Sequence, residues 1–221
     1  MFRTFLIASL ILFPFTSSAI ELAVGLQSTL SHLEIEDLSN GDQEVAVMTS
    51  GFQLFPTASL ISDPYYFSEN SNIGVQFQVD WSFFKADRQE INDGTETVDL
   101  GTSIKAYALT AVPVVFYQFN RHAAKDWNVK IGAGLGVGYL DLTGKYMITN
   151  SVTESGEIRK VNKNGLGMAI NVYLEGNVGN HMLMLYNFSP VLSDKTDDFQ
   201  EHNVVLAYKY RFSLDDLWSA E

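Results

Sequence analysis

Residues 72–84 alternate between two kinds of side chain. The odd positions from Ile73 to Phe83 are apolar without exception, whereas the even positions from Gly74 to Ser82 are small or polar. Because successive side chains of a β-strand point to opposite faces, this segment is predicted to be a strand with one apolar and one polar face. Many β-proteins contain such a strand, so the rest of the chain has to decide which class it indicates.

The same alternation recurs in four other segments, at residues 20–30, 127–139, 166–177 and 202–212. Three more segments have the composition of strands but alternate imperfectly, at residues 47–60, 100–119 and 181–190. Pro113 lies inside the second of these and predicts a bulge or an irregular stretch, because proline has no ladder donor. The chain is therefore predicted to form eight β-strands.

The connections between the predicted strands alternate in length. Those between strands 1 and 2, 3 and 4, 5 and 6, and 7 and 8 are long, polar and acidic, whereas residues 120–126 and 177–180 are short connections. The connection between strands 2 and 3, around residues 63–67, is longer than this alternation predicts. Short periplasmic turns opposite long external loops are typical of outer-membrane β-barrels. We predict an eight-stranded antiparallel up-and-down transmembrane β-barrel with lipid outside and a polar lumen.

The first nineteen residues have the pattern of a secretory signal peptide. Arg3 supplies the positive charge, residues 5–15 are mostly apolar, and Ser17 and Ala19 are the small residues of a cleavage site. The apolar run is shorter than the roughly 20 residues that a spanning helix needs. We predict a signal peptide at residues 1–19, a barrel domain at 20–212 and a short periplasmic tail at 213–221.

Aromatic and glycine residues also favour a membrane barrel. Tyrosine and tryptophan prefer the membrane interface because one end of the ring is apolar and the other can stay hydrated. Aromatic residues gather near the ends of the predicted strands, as at Tyr65, Tyr66, Phe67, Trp81, Phe83, Phe84, Phe116, Tyr117, Phe119, Trp127, Tyr208, Tyr210 and Phe212. The glycines at 132, 134, 136 and 138 are predicted to face the lumen, where they make room for larger side chains.

Alternation by itself also fits a soluble protein. An antiparallel sheet with one buried and one solvated face gives the same pattern. A soluble periplasmic β-sandwich or a lipocalin-like binding protein is therefore the alternative fold.

Two segments carry a resemblance to a known family. Residues 127–139 (WNVKIGAGLGVGY) and the closing segment 206–212 (LAYKYRF) resemble the small outer-membrane β-barrels of Gram-negative bacteria, the grouping that includes the OmpA membrane domain, OmpX and OmpW. The resemblance implies the cell outer membrane as location and the barrel-assembly machinery as a partner during biogenesis. It also implies that Tyr208, Tyr210 and Phe212 are the assembly signal. Members of the family commonly end at the phenylalanine, whereas residues 213–221 follow here.

Composition and charge narrow the possible functions. The chain has no cysteine, which excludes a disulfide scaffold, a thiolate nucleophile and a cysteine metal site. Its net charge is −12, with 26 acidic and 14 basic residues, which argues against nucleic acid as a partner. The acids are concentrated in the long connections, at residues 34–44, 87–99, 154–157 and 194–201. These acidic loops are solvated by default, and they are also the predicted contact with an extracellular partner.

The polar faces of the predicted strands place several charges in the lumen, where each needs a partner because an unpaired buried ion costs several kcal/mol. We predict that Glu21 is paired with Lys209 or Arg211, that Lys130 and Glu175 are neighbours, and that Asp80 is paired with Lys105. The predicted lumen charge network is therefore Glu21, Asp80, Lys105, Lys130, Glu175, Lys209 and Arg211. A lumen closed by these ion pairs is the main interpretation, and a gated small-solute pore is the alternative.

No catalytic or metal motif emerges from the sequence. The histidines at 32, 122, 181 and 202 lack a paired-histidine spacing or a His-x-Ser motif, and the acidic segments lack the spacing of an EF-hand. We therefore predict a non-enzymatic protein without cofactor or metal. Its expected role is structural or in surface interaction, in contact with outer-membrane lipid and lipopolysaccharide.

Overall fold

The computed structural model describes most of the chain after its start. The described ranges are 20–37, 43–48, 53–85, 90–92, 96–99, 105–123, 126–150, 155–192 and 199–214. The predicted signal peptide lies outside these ranges, as do residues 215–221 of the predicted tail and much of the acidic connections. No helix in the described part of the chain is long and apolar enough to cross a membrane.

The described residues form twelve antiparallel strands. They are β1 (Ile20–Asp37), β2 (Gln43–Met48), β3 (Phe55–Ser62), β4 (Tyr65–Tyr66), β5 (Ile73–Lys85), β6 (Glu90–Asn92), β7 (Glu96–Asp99), β8 (Lys105–Gln118), β9 (Trp127–Asn150), β10 (Ser155–Val178), β11 (His181–Leu192) and β12 (Phe199–Ser213).

Eight of these strands close into a ring. Around the barrel the order is β1, β3, β5, β8, β9, β10, β11 and β12, and β12 pairs with β1 to complete the circle. Each strand of the ring is hydrogen-bonded to its sequence neighbours in the ring, which is up-and-down topology. The predicted fold class and strand number are confirmed, and the β-sandwich alternative is wrong.

The outside of the ring is apolar. Along β8 the side chains alternate between buried even positions and mostly exposed odd ones, and large apolar residues such as Leu109, Val115, Leu135, Ile170 and Leu185 are exposed. An apolar surface that surrounds a protein is not stable in water. Closed barrels can span a bilayer because no backbone group is left unpaired there. The chain is therefore an outer-membrane β-barrel, and a soluble lipocalin-like carrier is excluded.

Strand length departs from the prediction. The stretch at 140–165 was predicted to be a long polar loop, but β9 and β10 are each 24 residues long and pair as far as Asn150 and Ser155. The outward side chains change there from apolar to polar, as at Asp141 and Asn164. A strand outside the lipid needs no apolar face. A prediction based on apolar alternation therefore ends these two strands too early.

Three of the short strands, β2, β6 and β7, extend the barrel at this same end, called the external end below. β2 pairs with the last residues of β1, while β7 pairs with both β6 and the last residues of β9. The opposite end holds the start of β1 and the tight turn between β10 and β11, where Gly179 has a positive φ of 55°. It is called the short-turn end and is periplasmic by the usual arrangement of such barrels.

Pro113 does not shift the register of its strand. Pairing between β8 and β9 is interrupted at Val112 and Pro113, but the register is the same on both sides of the interruption. The ladder is thus irregular but contains no bulge. Opposite this point, a Cβ on Gly134 would lie 2.3 Å from the carbonyl oxygen of Pro113, and one on Gly136 would lie 2.1 Å from that of Ala111. Glycine is needed there because the two backbones approach each other closely.

Gly132 makes room inside the barrel. It lies directly opposite Tyr173 of β10, and an added Cβ would lie 2.7 Å from the tyrosine ring. Tyr173 is almost fully buried. The predicted role of a lumen glycine in accommodating a larger side chain is therefore confirmed at this position.

Candidate functional site

The most buried charges meet at the centre of the lumen. Lys209 of β12 is fully buried, and its Nζ lies 3.3 Å from Oδ1 of Asp80 of β5. Lys209 also donates a hydrogen bond of 2.5 Å to the hydroxyl of Ser59 of β3, and that hydroxyl donates to Asp80. We call Ser59, Asp80 and Lys209 the central cluster. It joins three strands that lie on one side of the ring.

A second group of polar side chains lies nearer the short-turn end. Lys130 and Glu175 are opposite each other in the register of β9 and β10, with 3.5 Å between Nζ and Oε1. Lys130 donates to Gln76 at 3.2 Å, and Asn177 donates to Glu175 Oε1 at 2.6 Å. We call Gln76, Lys130, Glu175 and Asn177 the lower cluster. All four are at least nine-tenths buried.

The third ion pair lies at the edge of the short-turn end. Arg211 donates to Glu21 Oε2 at 3.1 Å and to the carbonyl of Gly179 at 3.1 Å. This rim pair is more exposed than the two clusters. Of the two partners predicted for Glu21, the structure brings Arg211 to it, while Lys209 lies against Asp80 instead.

Lys105 does not belong to this network. It is opposite Lys85 in the register of β5 and β8, whereas Asp80 is opposite Thr110. Lys105 and Thr110 are an odd number of residues apart, so their side chains point to opposite faces, and Lys105 is exposed at the external end. The predicted pair of Asp80 and Lys105 is therefore wrong, because side-chain parity excludes it.

Two tyrosines inside the lumen were not predicted. Tyr186 is buried, donates to Gln27 at 3.0 Å and lies 3.3 Å from the hydroxyl of Ser82. Tyr173 accepts a hydrogen bond of 3.3 Å from Gln76. Tyr173 is an odd position of β10, whose inward residues are odd-numbered, and Tyr186 is an even position of β11, whose inward residues are even-numbered. This parity was the available signal. The alternation at residues 166–177 places Tyr173 on the polar face, whereas the imperfect alternation at residues 181–190 hides the orientation of Tyr186.

The lumen is not polar throughout. Apolar side chains share the lumen with the polar ones. On the external side of the central cluster, Phe84, Ala106, Ala108, Leu140 and Leu142 are buried in the same region as the polar side chains of Gln27, Thr57 and Ser82. Apolar side chains such as Val114 and Phe116 are buried toward the short-turn end as well. The prediction of a polar lumen is therefore only partly correct. Leu140 and Leu142 lie just beyond the predicted end of their strand, which is why their contribution was missed.

A cavity opens between the lower cluster and the rim pair. It has a volume of about 250 Å³ and lies at the short-turn end. Tyr66 forms part of its wall and donates a hydrogen bond of 2.5 Å to Gln118. The guanidinium of Arg121 lies 3.4 Å from the centre of the Tyr66 ring and donates to the carbonyls of Ser68 and Ser71. These contacts fix the connection at residues 67–72 beside the cavity mouth.

The four histidines are distributed between the two ends of the barrel. His181 is exposed at the short-turn end, where its Nδ1 lies 2.7 Å from the hydroxyl of Tyr208. His122 is exposed in the turn after β8. The register places His32 opposite His202 near the external end. Across the described ranges, no group of three or more histidine and acidic residues is arranged to hold a metal ion.

The predicted assembly signal lies on the outside of the closing strand. Tyr208 and Phe212 are exposed, Tyr210 is half-buried, and the rings of Tyr210 and Phe212 are 4.8 Å apart. Their position at the lipid-facing surface agrees with an interface role. Their recognition during assembly stays a prediction.

Four lysines lie on the outside of the barrel at the external end. Lys85 and Lys105 are register partners on β5 and β8, and Lys145 and Lys160 are register partners on β9 and β10. We call these four residues the lysine arc. Toward the membrane they are followed by aromatic rings, such as those of Phe83 and Tyr107, whose centres are 5.0 Å apart.

The external part of β10 has one free edge among the described residues. Residues 155–166 pair with β9, but β11 pairs with β10 only from Gly167 onward. Within the described part of the chain, this stretch has no strand partner on the side away from β9, and residues 193–198, which follow β11, lie outside the described ranges. We call residues 155–166 the free edge.

Comparisons with known proteins found solved structures that are similar to this chain. Ail, the attachment invasion locus protein of Yersinia pestis, is 17% identical, covers 88% of this chain and 99% of its own, and has a TM-score of 0.42. Ail in complex with the heparin analogue sucrose octasulfate is 18% identical over the same shares, with a TM-score of 0.40. Neisserial surface protein A (NspA) is 13% identical over 86% of this chain and 98% of its own, with a TM-score of 0.38. No model of a protein family matches the sequence, and no curated protein does.

Proposed function

We propose that this protein is a non-enzymatic component of the outer membrane that presents a β-sheet outside the cell for contact with another macromolecule. The free edge of β10 is the observation that carries this proposal. An unpaired edge is a template for an added strand, and many proteins bind extended segments in this way. The barrel supplies the rigid base that holds the edge away from the membrane.

Charge favours a particular kind of partner. The sequence of the free edge contains Arg159, Lys160 and Lys163 against a single acid, Glu157. An extended segment with acidic side chains would therefore be attracted. A second copy of the same edge would be repelled, since basic residues on an edge oppose self-association. The further proposal that the acidic loops contact an extracellular partner stays a prediction, because about half of these residues lie outside the described ranges.

The filling of the lumen supports a structural role. Three ion pairs and the apolar layer of Phe84, Leu140 and Leu142 occupy the interior of a barrel that is narrow to begin with. We therefore propose that the lumen is closed and that the protein is not a solute pore.

Shortening the β9–β10 hairpin tests the proposed contact. Residues 146–159 are replaced by Asn-Gly, a two-residue hairpin turn, which joins the register partners Lys145 and Lys160. Cells that display the intact protein are expected to bind a labelled peptide of alternating threonine and glutamate, and the shortened variant is expected to bind it at least tenfold more weakly. A peptide with proline at alternate positions is the matched control, because it cannot add as a strand.

The variant must also be shown to assemble. Heat-modifiable gel mobility reports a folded barrel, and single cysteines report its orientation because the chain has none of its own. A cysteine at Lys160 is expected to react with an impermeant maleimide on intact cells, and a cysteine at Asn180 only after permeabilisation. Equal peptide binding by intact and shortened proteins, or the reverse labelling pattern, contradicts the proposal.

Lipopolysaccharide is a second proposed partner, through the lysine arc. Lys105 and Lys160 are exposed on the outer surface just beyond the aromatic rings at the membrane edge. Anionic headgroups of the outer leaflet lie at this height, and each basic residue near an anionic membrane surface contributes about 1 kcal/mol. Changing both lysines to glutamate is expected to lower the lipid A that co-purifies at least fivefold. The double change to arginine keeps the charge and is expected to retain the lipid, and a loss with both variants counts against the contact.

The proposed assembly role of Tyr208, Tyr210 and Phe212 rests on their exposed position in the strand that closes the ring. Residues 213–221 are proposed to be a periplasmic tail, and residues 1–19 a cleaved signal peptide.

A further inference from the structure

The cavity at the short-turn end is built from charged residues of both signs. Three carboxylates line it, those of Glu21, Asp63 and Glu175, together with two cations, Lys130 and Arg211. Among the side chains that line the cavity, carboxylates therefore outnumber cations by one. Its volume of about 250 Å³ corresponds to roughly eight water molecules at about 30 Å³ each, which suits a small ligand.

Glu175 is the polar group whose bonding is incomplete. Its side chain is only 2% exposed, and Oε1 is occupied by Asn177 and Lys130. Its second oxygen, Oε2, is buried and has no hydrogen-bond partner among the described residues. A buried carboxylate oxygen without a donor is costly, because an ionised carboxylate can only accept hydrogen bonds.

The neighbouring cations do not donate to this oxygen. Lys130 is shared between Glu175 Oε1 and Gln76 and lies over the ring of Phe116 at 5.1 Å. Arg211 is held through its two terminal nitrogens by Glu21 and by the carbonyl of Gly179, and its buried Nε has no hydrogen-bond partner among the described residues. Oε2 of Glu175 is therefore left open to a donor that enters through the cavity.

We propose that this cavity binds a small molecule carrying a primary ammonium group, which enters from the periplasmic side. The ammonium donates to Oε2 of Glu175, and its positive charge balances the excess of carboxylates. The carboxylates of Glu21 and Asp63 also line the cavity and offer further acceptors.

A divalent metal ion fits the same residues less well. Calcium needs six to eight oxygen ligands and magnesium demands near-octahedral geometry. In the described ranges, no group of three acidic or histidine residues converges to provide such ligands. An ammonium group needs only two or three acceptors, which the site offers. The same carboxylates repel anions.

The test is a titration of the purified, folded barrel with putrescine, followed by calorimetry or by NMR. Saturable binding of putrescine is expected, and 1,4-butanediol, which has the same length without the charge, is expected to bind at least tenfold more weakly. Glu175→Gln is expected to lower putrescine affinity at least tenfold. Glu69→Gln is the matched control, because Glu69 is exposed at the same end and does not line the cavity.

Glu175→Gln leaves Lys130 without its acidic partner and could lower binding by destabilising the barrel. A second variant separates that effect from the loss of the carboxylate. The double change Glu175→Gln with Lys130→Gln removes both charges and is also expected to lose putrescine binding while remaining heat-modifiable. The proposal is overturned by absent or non-saturable binding, by equal binding of putrescine and butanediol, by unchanged affinity in the double variant, or by displacement of putrescine by stoichiometric Mg²⁺.

Discussion

Ile170→Arg is expected to impair assembly into the membrane more than any other single change on the outer surface. Ile170 is exposed on the outside of β10, midway along the apolar part of that strand. An arginine on the lipid face near the bilayer centre costs about 2–4 kcal/mol. The yield of heat-modifiable protein in the outer membrane and the free energy of unfolding in lipid vesicles both measure this effect.

The same strand offers a matched control. Ile158 is also an exposed outward isoleucine of β10, at 67% exposure, but it lies in the free edge beyond the lipid. Ile158→Arg is expected to change stability by no more than about 0.5 kcal/mol, as surface substitutions usually do. If the two variants are equally stable, or if Ile158→Arg is the worse, the membrane boundary on β10 is wrongly placed.

Lys209→Met is expected to destabilise the barrel by about 3–5 kcal/mol, because it leaves the buried carboxylate of Asp80 without a counter-charge. The double variant with Asp80→Leu removes the second charge as well. Since buried ion pairs can often be replaced by apolar residues of similar volume, the double variant is expected to regain most of the loss. Urea unfolding of the folded barrel in vesicles gives the three free energies.

Lys105→Met is the control for this series. It makes the same substitution at an exposed lysine, so stability is expected to stay within about 0.5 kcal/mol. A double variant that is no more stable than Lys209→Met would show that Asp80 is tolerated unpaired and that the central cluster does not act as a pair.

Much of the barrel could be predicted because lipid and lumen impose opposite demands on alternate residues. Wherever both demands apply, as from Ile73 to Ser82, the strand and its orientation are readable from the sequence. Beyond the lipid, outward-facing side chains no longer need to be apolar. Asp141 and Thr143 therefore give no apolar signal, although they belong to β9. Strand boundaries at the external end therefore needed the structure.

The ion pairs show a second limit of prediction from the sequence. Lys130 and Glu175 could be brought together from the sequence, because each lies a few residues from a short connection at the same end of two neighbouring predicted strands. Asp80 and Lys209 lie on strands that are not neighbours in the ring, and their contact depends on the width of the lumen. No pattern within one strand contains that information, which is why Lys105 was assigned instead.

A position can also look tolerant in the sequence and be constrained in the structure. Gln76 lies on the polar face of β5 and resembles a replaceable lumen residue. In the structure it accepts from Lys130 and donates to Tyr173. An arginine at position 76 would place a second cation beside Lys130. We therefore expect Gln76→Arg to destabilise the barrel, although the residue lies on the polar face of its strand.

Beyond the ring the described strands form two extensions, one of β2, β1 and β12 and the other of β6, β7, β9 and β10, and no ladder joins the two among the described residues. Hydrogen bonds in these extensions run within each sheet, so either can open or change length at a free-energy cost below that of unfolding the ring. The connection between Asn150 and Ser155 is thus a natural grafting point. A foreign sequence inserted there lengthens one sheet and leaves every hydrogen bond of the membrane ring in place, which makes the molecule a scaffold whose outer tip can vary while its anchor does not.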